Sequence, residues 1–192
     1  GKVHDVSATE VMNDFANLLI SKGDYPAAEA LYRRALDIDR RDLGMTHPNT
    51  AVEMGNLAMV MQMQGELAGA EPLYVESIEI LRRVNGAEHP DTIAILGNYG
   101  WFLQTKGELD EAERVLREVL ALRQRIYGER HVSVGYDTSN LADVMYERGR
   151  PEEAERLYRA ALTIYEATLP PNHQYVAAAL TGLARVFAEK GD

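Results

Sequence analysis

The sequence contains no cysteine, which excludes disulfides, thiolate nucleophiles and cysteine-ligated zinc and fits a reducing compartment. No apolar run approaches the ~18 residues of a membrane-spanning helix, and no basic-apolar-small leader opens the chain, so the reading is a cytoplasmic protein without a membrane anchor. Positive charge is scarce: 20 lysines and arginines stand against 30 aspartates and glutamates, a net charge of −10. Such a chain repels phosphate backbones, and its arginines are spread along its length, so nucleic acid is not an expected partner. Period-two alternation is absent, which excludes the four-stranded blades of a propeller. Catalytic motifs are missing too: there is no glycine-rich phosphate loop, no G-x-S-x-G and no H-E-x-x-H. Nothing pairs a nucleophile with a base, so the expectation is a protein that is not an enzyme and needs no cofactor.

What the 192 residues do contain is one sentence written four times. GDYPAAEALY begins at Gly23, GELAGAEPLY at Gly65, GELDEAERVL at Gly107 and GRPEEAERLY at Gly149. The period is 42 residues without insertion or deletion. A histidine recurs as His47, His89, His131 and His173, and an asparagine as Asn56, Asn98 and Asn140. A small residue recurs as Ala16, Ala58, Gly100, Ala142 and Ala184. Regular self-similarity of this length marks a repeat architecture.

Each copy reads as two helices. Met54, Leu57, Ala58 and Met61 follow the i, i+3, i+4, i+7 spacing, and so do Ala112, Val115, Leu116, Val119 and Leu122. The glycines at 65 and its equivalents break the pair with a tight turn. A second break falls at Gly44, Gly86 and Gly128, where glycine can adopt the left-handed conformation that ends a helix, and becomes Pro170-Pro171 in the fourth copy. Asn49, Asp91 and Ser133 are suited to satisfying free N–H groups at the next helix start. The predicted helices are 6–21, 26–42, 48–63, 68–84, 90–105, 110–126, 132–147, 152–168 and 174–189. The histidines lie in loops about one repeat apart, ~10 Å by helix packing distances, too far to share a metal, and read as loop caps rather than ligands. Acidic pairs such as Asp110-Glu111 and Glu152-Glu153 read as solvated first-turn residues that suit the helix dipole.

The small residue before each turn glycine, the alanine after it and the aromatic further on carry a resemblance to the tetratricopeptide repeat. In the four copies these positions are Ala16, Ala28, Tyr32 and Ala35; Ala58, Ala70, Tyr74 and Ser77; Gly100, Ala112, Leu116 and Val119; and Ala142, Ala154, Tyr158 and Ala161. The 42-residue period is similar to the kinesin light chain subclass and its bacterial relatives. The resemblance implies an all-α fold, a right-handed superhelical solenoid of antiparallel helix pairs. It implies a single solenoid domain over 1–192, with repeats at about 6–47, 48–89, 90–131 and 132–173 and a terminal helix at 174–190. Because the chain ends at the turn Gly191-Asp192, a fragment of a longer protein is expected.

The resemblance further implies that the first helix of each pair lines a concave groove that holds a peptide or partner protein, a scaffold or adaptor role. Positions counted from the turn glycine give Asn13, Asn17, Asn56, Met59, Met63, Asn98, Trp101, Gln104, Tyr136, Asn140 and Asp143 as groove residues, with Gly55, Gln62 and Ser139 beside them. Asn56, Asn98 and Asn140 form a ladder at one position. An amide donates and accepts, so the ladder either grips a peptide backbone or bonds neighbouring helices and stabilises the stack. Trp101 with Met59 and Met63 suits an anchor surface, with Gly55, Gly97 and Gly100 widening the space around it. The last helix adds Thr181, Arg185 and Glu189 to the groove, and Arg185 is its one cation against Asp14, Asp143, Glu147 and Glu189, so a basic or apolar segment is favoured over an acidic one. Two alternatives stand beside this reading: self-association through the C-terminal helix, where Leu180, Leu183 and Phe187 leave an apolar face, and a regulatory array attached to a catalytic domain elsewhere in the full protein.

Overall fold

Interleaved alanines, leucines and glutamates with glycine at fixed stops give nine α-helices among the described residues of the computed structural model, which describes residues 8–191. They are α1 (Ala8–Ser21), α2 (Tyr25–Asp42), α3 (Pro48–Met63), α4 (Leu67–Val84), α5 (Pro90–Lys106), α6 (Leu109–Tyr127), α7 (Val132–Glu147), α8 (Pro151–Thr168) and α9 (Gln174–Lys190). From α2 onward, each boundary falls within one residue of the sequence expectation. Residues 6 and 7, which the periodicity adds to the first helix, lie outside the described residues.

The stops work as the glycines require. Gly65 sits at φ +83°, a left-handed conformation open to glycine without Cβ strain. There the chain folds back so that the Glu66 N–H donates to the Met61 carbonyl at 2.9 Å. The same backbone bond recurs from Asp24 to Leu19, from Glu108 to Leu103 and from Arg150 to Met145, each at 2.9 Å. One glycine per copy thus satisfies a helix-end carbonyl and sets the antiparallel return. In the fourth copy, where proline replaces the second glycine, α8 ends on Leu169 in an extended conformation.

The helix starts differ from the expectation in one respect. The imidazole itself is the cap: His47 Nδ1 accepts from the Asn49 N–H, His131 from Ser133 and His173 from Tyr175, each at 3.2 Å, and His89 accepts from Asp91 at 3.3 Å. Asn49, Asp91 and Ser133 are the residues being capped. A ring nitrogen two residues upstream reaches the free N–H that their own side chains were expected to satisfy.

The chain divides between Asn98 and Tyr99, inside α5, into two compact units. In the first, α1 packs on α2 and α3 on α4 across Ala16, Ala28, Ala35, Ala58 and Ala70, all fully buried, with Tyr32 and Tyr74 filling the wider gaps. In the second, α7 packs on α8 across Ala142, Ala154 and Ala161, with Tyr158 in the matching place. Small residues at the crossings let helix axes approach, and the tyrosines restore close packing between them.

Candidate functional site

Within the first unit, two of the expected groove residues are engaged by their own neighbours. Asn17 accepts a 2.7 Å hydrogen bond from the Tyr32 hydroxyl, and the Asn13 amide donates to Glu53 Oε1. Asn56, Met59, Met63 and Asn98 are half-buried. Neither Asn56 nor Asn98 makes a side-chain hydrogen bond among the described residues. Gln62 is buried rather than groove-facing and accepts from the Tyr74 hydroxyl at 3.2 Å. Gly55 leaves no open space, because a Cβ there would stand 2.5 Å from Ile95 Cδ1. The glycine is needed for close packing of α3 against the start of α5, not to widen a groove.

In the second unit, Trp101 is 39% exposed and Tyr136 is 44% exposed, with the Tyr136 ring 5.4 Å from that of Tyr175. Asn140 is half-buried and, like its counterparts, carries no hydrogen bond among the described residues. Gln104 donates to Glu147 at 2.8 Å. Asp143 accepts from the buried Tyr158 hydroxyl at 2.6 Å and faces Arg185 at 3.5 Å. The Arg185 guanidinium lies 4.4 Å from the Tyr146 ring centroid, so the cation expected in the groove is held by an aromatic and a carboxylate of its own unit. Ser139 is buried, and Gly100 sits where a Cβ would meet Leu116 Cδ2 at 2.6 Å, again a packing contact and not widened space.

Sequence reasoning missed the charged groups that join successive hairpins. In the second unit, Glu113 binds Arg117 at 2.8 Å, Arg150 at 3.0 Å and also Arg148, while Glu153 binds Arg117 at 2.8 Å and also Arg150. Glu153 is therefore a bridge rather than a solvated first-turn residue. Burial opposes ionisation of Glu113, but the three arginines together hold its carboxyl below the ordinary range. Elsewhere in the same unit Arg123 Nε meets the buried Asp137 at 2.6 Å. Burial pushes Asp137 up to about 7 against the pull of Arg123.

In the first unit a cavity of about 190 Å³ opens between α1, α2, α3 and the start of α5, lined by Asn13, Asp39 and Glu53 with Glu10, Asn49 and Asp91 among its other walls. Asp39 is 5% exposed and Glu53 is 3% exposed. Burial is the largest influence on both carboxyls, and it pushes Glu53 up to about 7 with Asp39 adding like-charge repulsion. Thr9 hydrogen-bonds the Asp39 carboxyl, and the charge of His47 also draws its pKa down. Aligning the copies at 42 residues would have exposed the anomaly: Asp39, Leu81, Arg123 and Tyr165 share one position, and Glu53, Ile95, Asp137 and Ala179 share the other. Among the described residues, no group of three or more acidic or histidine side chains is placed to hold a metal ion, and no helix is long and apolar enough to cross a membrane.

The family model of the tetratricopeptide repeat matches residues 7–82, 53–125, 101–167 and 136–192. No curated protein matches the sequence. Among solved structures, the chain is similar to the nearly identical TPR-like repeats of a kinesin light chain candidate from Podosopora anserina, at 24% identity and a TM-score of 0.77 over 94% of this chain and 86% of that one. It is also similar to BtubC (BKLC) from P. vanneervenii, at 23% identity and a TM-score of 0.80 over 95% of this chain and 73% of that one. A third likeness is to a Rap protein solved in complex with Competence and Sporulation Factor, at 14% identity and a TM-score of 0.80 over 95% of this chain and 49% of that one. With nine helices and no strand among the described residues, these likenesses give the fold class, an all-α repeat solenoid.

Proposed function

The chain belongs to the tetratricopeptide repeat family, a protein–protein interaction scaffold that is typically non-catalytic, and from that premise we propose that it holds an extended segment of a partner protein along its first helices, as a scaffold or adaptor. The observation that carries this reading is the state of Asn56, Asn98 and Asn140. All three are half-buried, recur at one repeat position, and spend no hydrogen bond on neighbouring helices among the described residues. Their amides are left to donate to and accept from an incoming backbone. Trp101 and Tyr136 supply exposed aromatic area for anchoring side chains. The Rap relative, solved with Competence and Sporulation Factor, is a precedent for a ligand on this fold. The net charge of −10 favours a basic or apolar segment over an acidic one.

The test is a selection of random peptides on the immobilised protein, repeated with Asn56, Asn98 and Asn140 all changed to alanine. A consensus that is lost in the triple variant while its melting stays unchanged supports the ladder as the gripping surface. Enrichment indifferent to the three asparagines sinks it. A second reading, self-association through α9, draws on Leu180, which is 53% exposed there. Light scattering of the parent and of Leu180→Ser separates the two.

A further inference from the structure

Three buried acceptors belong to residues that line the first unit's cavity, and no donor among the described residues meets them. Asp39 Oδ2, Glu53 Oε2 and Asn13 Oδ1 are each out of contact with solvent and, among the described residues, without a hydrogen-bond partner. A buried carboxylate oxygen left unpaired is among the costliest features a fold can carry. At the same two repeat positions the other interfaces avoid the problem. Leu81 and Ile95 are apolar and buried, Tyr165 and Ala179 likewise, and in the second unit Arg123 neutralises Asp137 at 2.6 Å. At these two positions, among the described residues, the first interface alone carries two acids. Its two acids hold the repeat positions that Arg123 and Asp137 hold in the second unit, and a cavity lies beside them.

We propose that this cavity is a receptor for one guanidinium group, supplied by an arginine of the partner segment. The proposal deepens the function above and rests on it for the identity of the partner as an extended peptide. The chemistry fits on three counts. The cavity, about 190 Å³, has room for roughly six waters at ~30 Å³ each, enough for a guanidinium head. The three unpaired atoms are all acceptors, and a guanidinium offers five donors in a planar fork and no acceptor. Among the described residues the surrounding walls add negative charge through Glu10 and Asp91 and no lysine or arginine, which draws a cation inward. The pocket also gains from occupation: burial that pushes the Glu53 carboxyl up to about 7 is offset when a fixed positive charge enters.

The probe is N-acetyl-arginine-N-methylamide, titrated into the 15N-labelled protein, with the citrulline counterpart, which keeps the shape and loses the charge, as control. The expected result is saturable shifts at Thr9, Asn13, Asp39 and Glu53 with arginine only. Asp39→Arg installs the internal cation that the second unit has. It should raise Tm and weaken the arginine response roughly tenfold or more, as loss of a charge-assisted bidentate contact would. The double variant Asp39→Leu with Glu53→Ile takes the residues of the next interface, so it keeps the fold and should likewise lose the response. Equal shifts with citrulline, no shifts with arginine, or full arginine binding in either variant would overturn the proposal. Retained arginine shifts in the triple asparagine variant, together with loss of its selected peptides, would confirm this pocket apart from the ladder. An intact ladder without arginine shifts would sink the pocket alone.

Discussion

Glu53 shows how one residue sets a pH dependence. Its carboxyl ionises near 4.5 when unfolded and at about 7 in the fold, because burial disfavours the charge and Asp39 repels it. A folded value raised above the unfolded one means the stability is fully present below about pH 4.5. It is lost as pH rises through about 7. Glu53→Gln removes this slope while keeping the volume. The variant should melt above the parent at about pH 8, with the difference shrinking toward about pH 4.5; a constant offset across that window in thermal melts would contradict the assignment. Ala112 is the steric counterpart. It is fully buried in the second unit, so Ala112→Leu should overpack its surroundings and cost roughly 1–3 kcal/mol. An unchanged Tm would refute that.

At the scale of the element, the histidine caps and the arginine network carry the argument. His131 Nδ1 accepts the Ser133 N–H as α7 begins. His131→Ala should cost about 1 kcal/mol and speed amide exchange in the first turn of α7, whereas His131→Asn, with its own side-chain acceptor, should recover most of it. Equal losses in both variants would place the histidine's role elsewhere. Glu113, held by Arg117, Arg148 and Arg150, joins the third hairpin to the fourth. The exposed Arg114–Glu111 pair stays within one helix. Glu113→Ala should therefore destabilise by well over the ~0.3–0.5 kcal/mol expected for Glu111→Ala, measured side by side in denaturant.

Across the whole molecule, the net charge of −10 on a repeat scaffold should make the association with a basic segment proposed above a long-range electrostatic event. Binding of an arginine-bearing peptide should slow and weaken as salt rises toward about 1 M, where the Debye length falls to ~3 Å. Stopped-flow association rates measure this directly. An on-rate indifferent to salt would place the recognition in apolar contacts such as Trp101 instead. The kinesin-light-chain-like relatives share this scaffold at 23–24% identity, which speaks to how the helices are laid down and leaves the ligand to the side chains.

The sequence by itself determined the helices, the turns and the buried small residues. Each follows from neighbours within one copy: a 3.6-residue apolar rhythm, a glycine able to take φ near +83° at the turn, an alanine where two axes must meet. It also carried the amide ladder, visible as one repeated position. Only the tertiary structure decided which polar side chains are spent on the fold and which are left over. Asn17 is taken by Tyr32, and at the same repeat positions in the fourth copy Asp143 is taken by Tyr158, while Gln104 is taken by Glu147, pairings that only the folding of one helix onto another brings within reach. The same holds for Asp39 and Glu53. Each is an unremarked acid on its own helix, and burial against each other, without the arginine that answers Asp137 one unit on, turns the pair into a site.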